Sequence, residues 1–582
     1  MKTKIAKIII DYFSLRGIKD VFILTGGAIA FMADAVSKNK KIKLIPAYHE
    51  QGAAMMSDGY SRVSSTPSLC MATSGPGVTN LITGIACSWY DSKPNIFITG
   101  QVRSDEIRSK KNKTENIRQV GFQETDVISL TKSLTKFSYQ LKKNDNIIKI
   151  LDKAFYLATS GRKGPVLIDI PIDVQNFKKN KIKIIISKKK KSLKQIKKNK
   201  LSLIKEMFLE AKRPLILVGG GLQENDKKMF TKILKKIDVP VVNTWNGFDV
   251  LDFDNKNLIG QVGIYGNRAP NFALQNCDLL IVLGSRLESR VIGRDKKNFA
   301  KKAKIIHVDI DDNELIRKRE KKNFLNVNCS IETFLNSFIT ILTKTIKGGH
   351  EKPQLWLNLL KKLKLKNLIP GPEQNLIKKK TNPYYFFDKL SFALKKDSNI
   401  FISTGSTVTW AYQSFKIKSG QKFISANGHS PMGYALPASI GGYFADPKKN
   451  CICIEGDGSF QLNFQEMQVA KVFKIPLKII IINNNGYGII RQFQDQNLKS
   501  KYVASGNSSS VKTPDFNKIA KVYNFKYLKI INNDQINKKI SLFLKKKEAS
   551  ILEVVVDKNF DIVPRIQLRD KLENMYPKKN IF

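Results

Sequence analysis

The chain has 582 residues, 42% of them hydrophobic, and a formal net charge of +51 from 100 Lys and Arg against 49 Asp and Glu. At about 150 residues per domain, this length predicts three or four domains of a globular protein. No apolar run approaches the ~20 residues needed to cross a bilayer, so we expect no membrane-spanning helix and no membrane partner.

The strong positive charge does not by itself indicate nucleic-acid binding. The Lys residues are spread over the whole chain and basic-aromatic recognition motifs are missing, so we do not expect a nucleic acid as partner. A basic surface instead favours anionic substrates. The six Cys form no CxxC pair and most lie in apolar runs, which is typical of buried thiols in a reducing, cytoplasmic compartment.

Residues 1–177 alternate short apolar runs with helical stretches, which predicts a first α/β domain. The Lys-rich, apolar N-terminus is similar to a signal peptide, but Asp11 and Arg16 interrupt it and no small-residue cleavage site follows. The spacing of Ile5, Ile8 and Ile9 predicts one face of an amphipathic helix.

Glu50 follows a strand-like run at residues 42–45 and precedes a predicted helix. A carboxylate at this strand end, among apolar neighbours, is partly desolvated and suited to proton exchange. The alternative is an ordinary helix-start Glu that interacts with the helix dipole. Glycine-rich turns at residues 26–27 and 73–80 would let a ligand approach the backbone closely.

The remaining segments repeat this alternation. Residues 178–200 are dominated by Lys, which predicts a solvated linker. A second α/β segment covers residues 201–347, a Lys/Pro/Asn-rich linker residues 348–381, a third α/β segment residues 382–561, and an irregular tail residues 562–582. The fold class is therefore α/β, with three tandem doubly wound parallel-sheet domains.

The third segment carries the most informative pattern, Gly456-Asp457-Gly458 followed after 24 residues by Asn483-Asn484. Both groups come at the end of a predicted buried strand, and parallel strands open their carboxyl ends on the same edge of a sheet. Mg²⁺ prefers hard oxygen ligands shared with phosphates. We therefore expect a magnesium–diphosphate clamp in which Asp457, Asn484 and a carbonyl near Gly486 bind the metal. The alternative is two ordinary Gly/Asn turns.

These patterns together resemble the large catalytic subunit of acetolactate (acetohydroxyacid) synthase, within the superfamily of thiamine-diphosphate-dependent decarboxylases. The resemblance covers essentially the whole chain and keeps the family's motif order. The segments that carry it are 26–29, 49–53, 72–81, 98–101, 122–124, 135–136, 161–171, 284–291, 432–434, 456–484 and 488–494.

The resemblance implies a role for each matching residue. Glu50 would bond N1′ of the aminopyrimidine, Met432 would support the bent cofactor, and Phe122 with Gln123 would line the acceptor side. Met432 could instead only fill the core, and Lys136 could be either a ligand-side residue or a surface lysine. The implied catalytic set is Glu50, Gln123, Phe122, Lys136 and Gly27, and the implied set at thiamine diphosphate and Mg²⁺ is Met432, Gly456, Asp457, Gly458, Ser459, Asn484, Gly486 and Gly488.

The resemblance makes residues 1–177 the pyrimidine-binding domain, 201–347 an FAD-binding-like domain and 382–561 the diphosphate-binding domain. It implies a structural FAD in the central domain, with a flavin-free version of the same fold as the alternative. Because a guanidinium binds a diphosphate in bidentate fashion, arginines belong to the implied FAD set. That set is Gly220, Gly221, Thr244, Gly284, Arg286, Arg290, Val291 and Asp309.

The function implied is decarboxylation of a 2-keto acid, pyruvate, with transfer of the two-carbon unit to a second 2-keto acid. A homodimer or tetramer is implied, because Glu50 and the clamp come from different subunits in this superfamily, and a small regulatory subunit is possible. The chain departs from the family at Phe493, where Trp is usual, at residues 406–408, where Gln-His-Gln is usual, and at Tyr265, where His is typical near flavin.

These departures leave the acceptor open. The alternatives are a nucleotide-linked keto sugar of a cell-surface polysaccharide pathway as acceptor, or a simple decarboxylase that releases an aldehyde. A non-enzymatic basic scaffold is the alternative of a different class.

Overall fold

The computed structural model describes residues 2–109, 113–180, 184–186, 194–316, 323–345, 351–374, 380–567 and 570–581. Within these residues, no helix is both long and apolar enough to cross a membrane. All six cysteines are buried and free. The chain forms three α/β domains, each built around a six-stranded parallel sheet with helices beside it, so the predicted fold class is confirmed.

The first domain begins with the predicted amphipathic helix, whose apolar face is buried in the core. Its strands are β1 (Lys2–Lys4), β2 (Asp20–Leu24), β3 (Lys43–Pro46), β4 (Leu69–Ala72), β5 (Ile96–Gln101), β6 (Phe137–Gln140), β7 (Val166–Pro171) and β8 (Lys178–Asn180). Its helices are α1 (Ile5–Leu15), α2 (Ala30–Ser37), α3 (Glu50–Ser64), α4 (Pro76–Tyr90), α5 (Val127–Thr131), α6 (Ile147–Thr159) and α7 (Ile172–Asn176). The main sheet has the order β3-β2-β4-β5-β7-β6.

The central domain has the sheet order β11-β10-β9-β12-β13-β14, where β9 is Pro214–Val218, β10 Val241–Asn243, β11 Leu258–Gln261, β12 Leu279–Leu283, β13 Lys304–Asp309 and β14 Phe324–Asn328. Counted from the domain's first strand, this is the order 3-2-1-4-5-6 of dinucleotide-binding folds, whose ligand crevice lies where the order reverses, here between β9 and β12. Its helices are α8 (Lys198–Glu210), α9 (Glu224–Leu234), α10 (Arg268–Asn276), α11 (Ser289–Ile292), α12 (Asp312–Ile316) and α13 (Ile331–Thr345).

A helix, α14 (Glu351–Lys366), follows within the segment predicted as the second linker. Its Trp356, Leu357, Leu360 and Leu363 are buried in the core of the central domain. The linker prediction missed this helix because its Lys residues outnumber the apolar positions that mark its buried face. The first predicted linker also contains regular structure, since β8 pairs antiparallel with β1 and α8 begins at Lys198. Residues 181–183 and 187–193 of this linker lie outside the described residues.

The third domain has the sheet order β16-β15-β17-β18-β20-β19, where β15 is Ser398–Ile402, β16 Lys422–Ile424, β17 Asn450–Gly456, β18 Lys478–Asn483, β19 Lys526–Ile530 and β20 Ser550–Val555. Its helices are α15 (Pro383–Ala393), α16 (Ser406–Ser414), α17 (Ala435–Ala445), α18 (Asp457–Phe460), α19 (Met467–Val472), α20 (Gly488–Asn497), α21 (Phe516–Val522) and α22 (Ile536–Lys545). The strands follow the same order as the main sheet of the first domain, so both domains place their ligand edge in the same way.

The first and third domains pack through α3 and α17 at backbone distance. A Cβ atom at Gly59 would lie 2.1 Å from the Ala438 carbonyl oxygen, and one at Gly441 would lie 1.8 Å from the Met56 carbonyl oxygen. Glycine is therefore required on both helices. Beside this crossing, the buried Asp58 carboxylate accepts hydrogen bonds from Tyr434 Oη at 2.6 Å and Arg62 Nε at 2.5 Å.

The tail, predicted as irregular, contains a short antiparallel pair, β21 (Arg565–Ile566) with β22 (Met575–Tyr576). It is held to the central domain by Arg268, which is buried in α10. The Arg268 guanidinium donates to the carbonyl oxygens of Met575 and Pro577 and pairs with Glu373 at 2.8 Å.

Candidate active site

The predicted clamp forms at the carboxyl edge of the third sheet. β17 ends at Gly456, and Asp457 begins α18 directly afterwards. The Asp457 carboxylate is buried and accepts hydrogen bonds from the backbone N–H groups of Gly458 and Gly486, both at 2.8 Å. Burial raises the pKa of Asp457 to about 6, against the lowering effect of these N–H groups. One carboxylate therefore joins the two strand ends.

Asn484 follows the end of β18, and its side chain is buried. A Cβ atom at Gly488 would lie 2.2 Å from Asn484 Nδ2, so a larger residue at the start of α20 would displace the Asn484 amide. The part of the chain that the structure describes offers the Asn484 side-chain amide no hydrogen bond. A carboxylate and a buried, unbonded amide at adjacent strand ends fit the oxygen ligands that Mg²⁺ prefers.

Arg491, which the sequence reasoning missed, fixes this turn from α20. Its guanidinium is buried and donates to four backbone carbonyls, those of Asn484 (2.8 Å), Asn485 (3.1 Å), Ser505 (2.9 Å) and Lys558 (3.0 Å). No sequence pattern predicts this role, because a lone Arg in a helix does not show which distant carbonyls it will contact.

Ser459 connects the clamp to the turn that carries Met432. The Ser459 hydroxyl donates to Glu455 Oε2 at 2.6 Å and accepts from the Gly433 backbone N–H at 2.8 Å. Met432 is half-buried at this turn, and the φ of +74° at Gly433 requires glycine. Gly458 lies against the Tyr487 ring, where a Cβ atom would come within 2.3 Å. Ser459 thus positions the Met432 turn relative to the Asp457 strand end.

Glu50 is the first residue of α3 and is 7% exposed. Its Oε2 accepts a hydrogen bond from Asn80 Nδ2 at 3.0 Å, and a Cβ atom at Gly77 would lie 3.5 Å from its Oε1. The carboxylate is buried, as its apolar neighbours predicted. Among the residues that the structure describes, Glu50 bonds Asn80 while Asp457 bonds Gly458 and Gly486, and no hydrogen bond joins the two carboxylates.

Glu466, also missed by the sequence reasoning, reaches Glu50's turn from the third domain. Both of its carboxylate oxygens lie 3.2 Å from the Tyr48 backbone nitrogen, which donates to them. A Cβ atom at Gly52 would lie 2.4 Å from Glu466 Oε1. Burial raises the pKa of Glu466 to about 7. A buried carboxylate nine residues after Asp457 therefore holds the turn that leads into Glu50.

Gln123 lies close to the same glycine-rich turn as Glu50. It has a φ of +65°, and a Cβ atom at Gly75 would lie 2.9 Å from its Cβ. Phe122 beside it is 85% exposed. Gly27 follows β2 on the same edge, and apart from its chain neighbours no described residue has an atom within 4 Å of where its Cβ would be. The structure thus groups these residues with Glu50 at the carboxyl edge of the first sheet.

The placement of Lys136 corrects the expectation for that residue. It directly precedes β6, so it lies at the amino edge of the parallel sheet, opposite Glu50. Its ammonium group donates to the backbone carbonyls of Ser160 (2.9 Å) and Arg162 (2.7 Å), and burial lowers its pKa. Lys136 stabilises the turn before β7 and does not reach the site.

The residues expected to bind FAD lie around the crevice between β9 and β12. Gly221 and Gly284 follow these two strands, and a Cβ atom on either would come within 2.7 Å of the other's backbone. Gly220, Thr244, Arg286 and Asp309 also lie at carboxyl strand ends, while Arg290 and Val291 belong to α11. Burial raises the pKa of Asp309 to about 6. The Arg290 guanidinium lies 5.1 Å from the Trp245 ring and donates to the Asn427 carbonyl.

Comparison with known proteins agrees with this geometry. Three family models match in chain order: thiamine pyrophosphate enzyme, N-terminal TPP binding domain, at residues 3–130; central domain, at 201–338; and C-terminal TPP binding domain, at 403–554. The chain is 32% identical to the acetolactate synthase large subunit of Cyanidium caldarium, over 96% of this chain and 94% of the relative. It is 33% identical to the probable acetolactate synthase large subunit of Methanocaldococcus jannaschii (95% and 92%), and 30% identical to the acetolactate synthase large subunit of Lactococcus lactis (96% and 94%).

Proposed function

We propose a reaction for this chain, which belongs to the family of acetolactate synthase large subunits among the thiamine pyrophosphate enzymes. It decarboxylates pyruvate and joins the two-carbon unit to a second 2-keto acid. The chain is an enzyme that uses thiamine diphosphate. The observation that carries the proposal is the clamp, where Asp457 bonds the N–H of Gly486 at 2.8 Å beside the buried Asn484.

The clamp residues fit a magnesium–diphosphate group. We propose that Asp457, Asn484 and the Gly486 carbonyl hold Mg²⁺, since hard oxygens at two adjacent strand ends suit that ion. Arg491 keeps the Asn484–Gly486 turn in place through its four carbonyl contacts. Gly456, Gly458 and Gly488 keep the backbone free of Cβ atoms where the phosphates would approach.

Glu50 is the proposed proton-handling group. Thiamine diphosphate supplies an electron sink for the loss of CO₂. Glu50 would hold a proton at the pyrimidine nitrogen of the cofactor, where burial strengthens a charge-assisted hydrogen bond. Asn80 orients the Glu50 carboxylate by its bond to Oε2, and Met432 offers a flexible apolar side chain to the cofactor's bent shape.

We propose a homodimer as the active unit. Apolar side chains near the two ligand edges are exposed in the single chain, with Phe122 at 85%, Phe493 at 52% and Tyr48 at 49%. Such residues are typical of interface cores. The tetramer, the small regulatory subunit and the cytoplasmic location stay predictions.

The test is a product analysis with pyruvate, thiamine diphosphate and Mg²⁺. We expect acetolactate from the wild-type protein and none from Asp457→Asn, which keeps the size of the side chain and removes its charge. Consumption of pyruvate without acetolactate would contradict the proposed acceptor, and mass spectrometry with nucleotide-linked keto sugars or of released aldehyde would then identify the product. No turnover of pyruvate or other 2-keto acids would contradict the proposal as a whole.

A further inference from the structure

Three aromatic rings from two domains form a stack beside the central crevice. Trp245 follows Thr244 at the end of β10, and its ring lies 4.8 Å from that of Tyr412 at an interplanar angle of 13°. The Tyr265 ring lies 6.5 Å from Trp245 at 21°. The Arg290 guanidinium lies 5.1 Å from the same indole. The Trp245 ring is therefore already engaged by two aromatic rings and a cation.

A polar network holds this aromatic stack (Trp245, Tyr265 and Tyr412) in place. Asn427 Nδ2 donates to Asn246 Oδ1 at 2.6 Å and to Tyr412 Oη at 2.9 Å. Asn246 Nδ2 donates to Asp91 Oδ1 at 3.0 Å. These hydrogen bonds join three domains, because Asp91, Asn246 and Asn427 each belong to a different one. Moving the rings of the stack apart would therefore break bonds between domains.

The aromatic stack lies where the second half of a dinucleotide would extend. In a sheet of this order, a dinucleotide lies across the reversal point, with one half over each set of strands. Here the strand order reverses at Gly221 and Gly284. One half of the crevice lies toward Asp309 at the end of β13, and the other half lies toward Thr244 after β10. Trp245 directly follows Thr244. The stack therefore lies in the half of the crevice toward Thr244, and a dinucleotide would need that half as well as the other.

We propose that the central crevice binds a nucleoside diphosphate and excludes the flavin ring that the family resemblance implies. The half of the crevice toward Asp309 contains groups that can bind the phosphates and the ribose of a nucleotide. Gly220 and Gly221 are exposed at the strand end, where backbone can approach phosphates. Asp309 ends β13 with a carboxylate whose oxygens can accept hydrogen bonds from ribose hydroxyls. Arg286, half-buried after β12, carries a guanidinium suited to a diphosphate.

The first experiment uses the full-length wild-type protein. After denaturation, we expect no flavin absorbance near 450 nm in the supernatant, and in titrations of the native protein we expect ADP to bind at least tenfold more tightly than FAD. One FAD per chain after purification, or FAD binding as tight as that of ADP, would overturn the exclusion of flavin. Failure of ADP and of other nucleoside diphosphates to bind would overturn the nucleotide site.

The second experiment opens the aromatic stack. Trp245→Leu should raise affinity for FAD at least tenfold and leave affinity for ADP within twofold. Trp356→Leu is the matched control, because Trp356 belongs to α14 and is buried in a different core cluster, and it should leave both affinities unchanged. No gain of FAD binding in a folded Trp245→Leu protein would contradict the assignment, and if that variant does not fold, Tyr265→His gives the same test. Acetolactate formation is assayed separately, so this proposal and the proposed function can fail independently.

Discussion

Glu466 shows how one buried carboxylate connects two domains at the residue scale. It is fully buried, and the groups that face it are the backbone N–H groups of Tyr48 and His49. Its position fixes the turn that leads into Glu50, so its protonation state bears on both stability and catalysis.

We expect Glu466 to make the stability of the protein depend on pH. Burial raises its pKa from 4.5 to about 7, so between these values the folded state holds a proton that the unfolded chain releases. Stability should therefore fall as pH rises from about 4.5 to about 7, by about 3 kcal/mol at most. Glu466→Gln stays neutral and should lose this contribution. Urea unfolding of both proteins at pH 5 and pH 8 measures it; an equal pH response in both would contradict the assignment.

Arg491 is expected to act on the metal site without touching the metal. Arg491→Lys keeps the charge and loses most of the four carbonyl bonds that hold the Asn484–Gly486 turn. Loss of such an outer-shell partner typically weakens metal affinity about 10- to 100-fold. The measurement is the Mg²⁺ concentration for half-maximal activity, compared with kcat at saturating Mg²⁺.

The control for Arg491→Lys is Asn497→Ala on the same helix, whose exposed side chain donates to the Phe493 carbonyl of its own helix. It should leave the Mg²⁺ requirement unchanged. A fall in kcat with an unaltered Mg²⁺ requirement would show that Arg491 acts elsewhere.

At the scale of elements, the crossing of α3 and α17 determines how the first and third domains meet. Gly59 and Gly441 let the two helices touch at backbone distance. Because Glu50 begins α3 and the Met432 turn leads into α17, any separation of these helices also displaces two residues of the candidate site.

Gly441→Ala should therefore destabilise the protein strongly. Its Cβ would overlap the Met56 carbonyl oxygen, and such overpacking against backbone costs about 3 kcal/mol. Ser439→Ala is the control on the same helix, since it adds no atom and removes a hydroxyl that bonds the Leu436 carbonyl and the Cys453 side chain, at a cost of about 1 kcal/mol for each bond. Denaturant unfolding monitored by circular dichroism compares the two. A loss below 1 kcal/mol for Gly441→Ala would mean that the helices separate easily.

The sequence alone predicts those helices and strands whose residue pattern lies within the element itself. Buried strands such as β17 and β18 are continuous apolar runs that end in Gly or Asn, so the clamp at Asp457 could be predicted. Helix α14 could not, because its Lys residues are typical of a linker. Glu466 and Arg491 were missed because their hydrogen-bond partners lie far away along the chain. Lys136 was misplaced because its position depends on which edge of the sheet it lies at, and the sequence pattern does not show that.

At the scale of the whole molecule, Glu50 and Asp457 belong to ligand edges of different domains, and no hydrogen bond in the described part of the chain joins them. In the proposed homodimer, each site would combine Glu50 of one subunit with the clamp of the other. The exposed Phe122 and Phe493 would then be covered by the partner subunit.

Mixing two inactive variants tests this arrangement. Glu50→Gln and Asp457→Asn should each be inactive alone, because each dimer then carries the defect in both sites. After the two are unfolded together and refolded, half of the dimers would be mixed, and each mixed dimer would hold one intact site. About a quarter of wild-type activity should return, as the symmetry of a two-fold dimer requires. Each variant refolded alone is the control, and no recovery in demonstrated mixed dimers would contradict shared sites.

The hydrogen bonds from Arg268 to the carbonyl oxygens of Met575 and Pro577 affect how the central domain folds during synthesis. The ribosome completes the strands of the central domain at Asn328, yet it makes the carbonyl groups that Arg268 binds only 307 and 309 residues after Arg268 itself. Domains generally fold in order as they emerge. The Arg268 guanidinium therefore lacks its carbonyl acceptors until Met575 and Pro577 have been made, and a nascent chain stalled before Met575 should be more sensitive to protease in α10 than one that includes both residues.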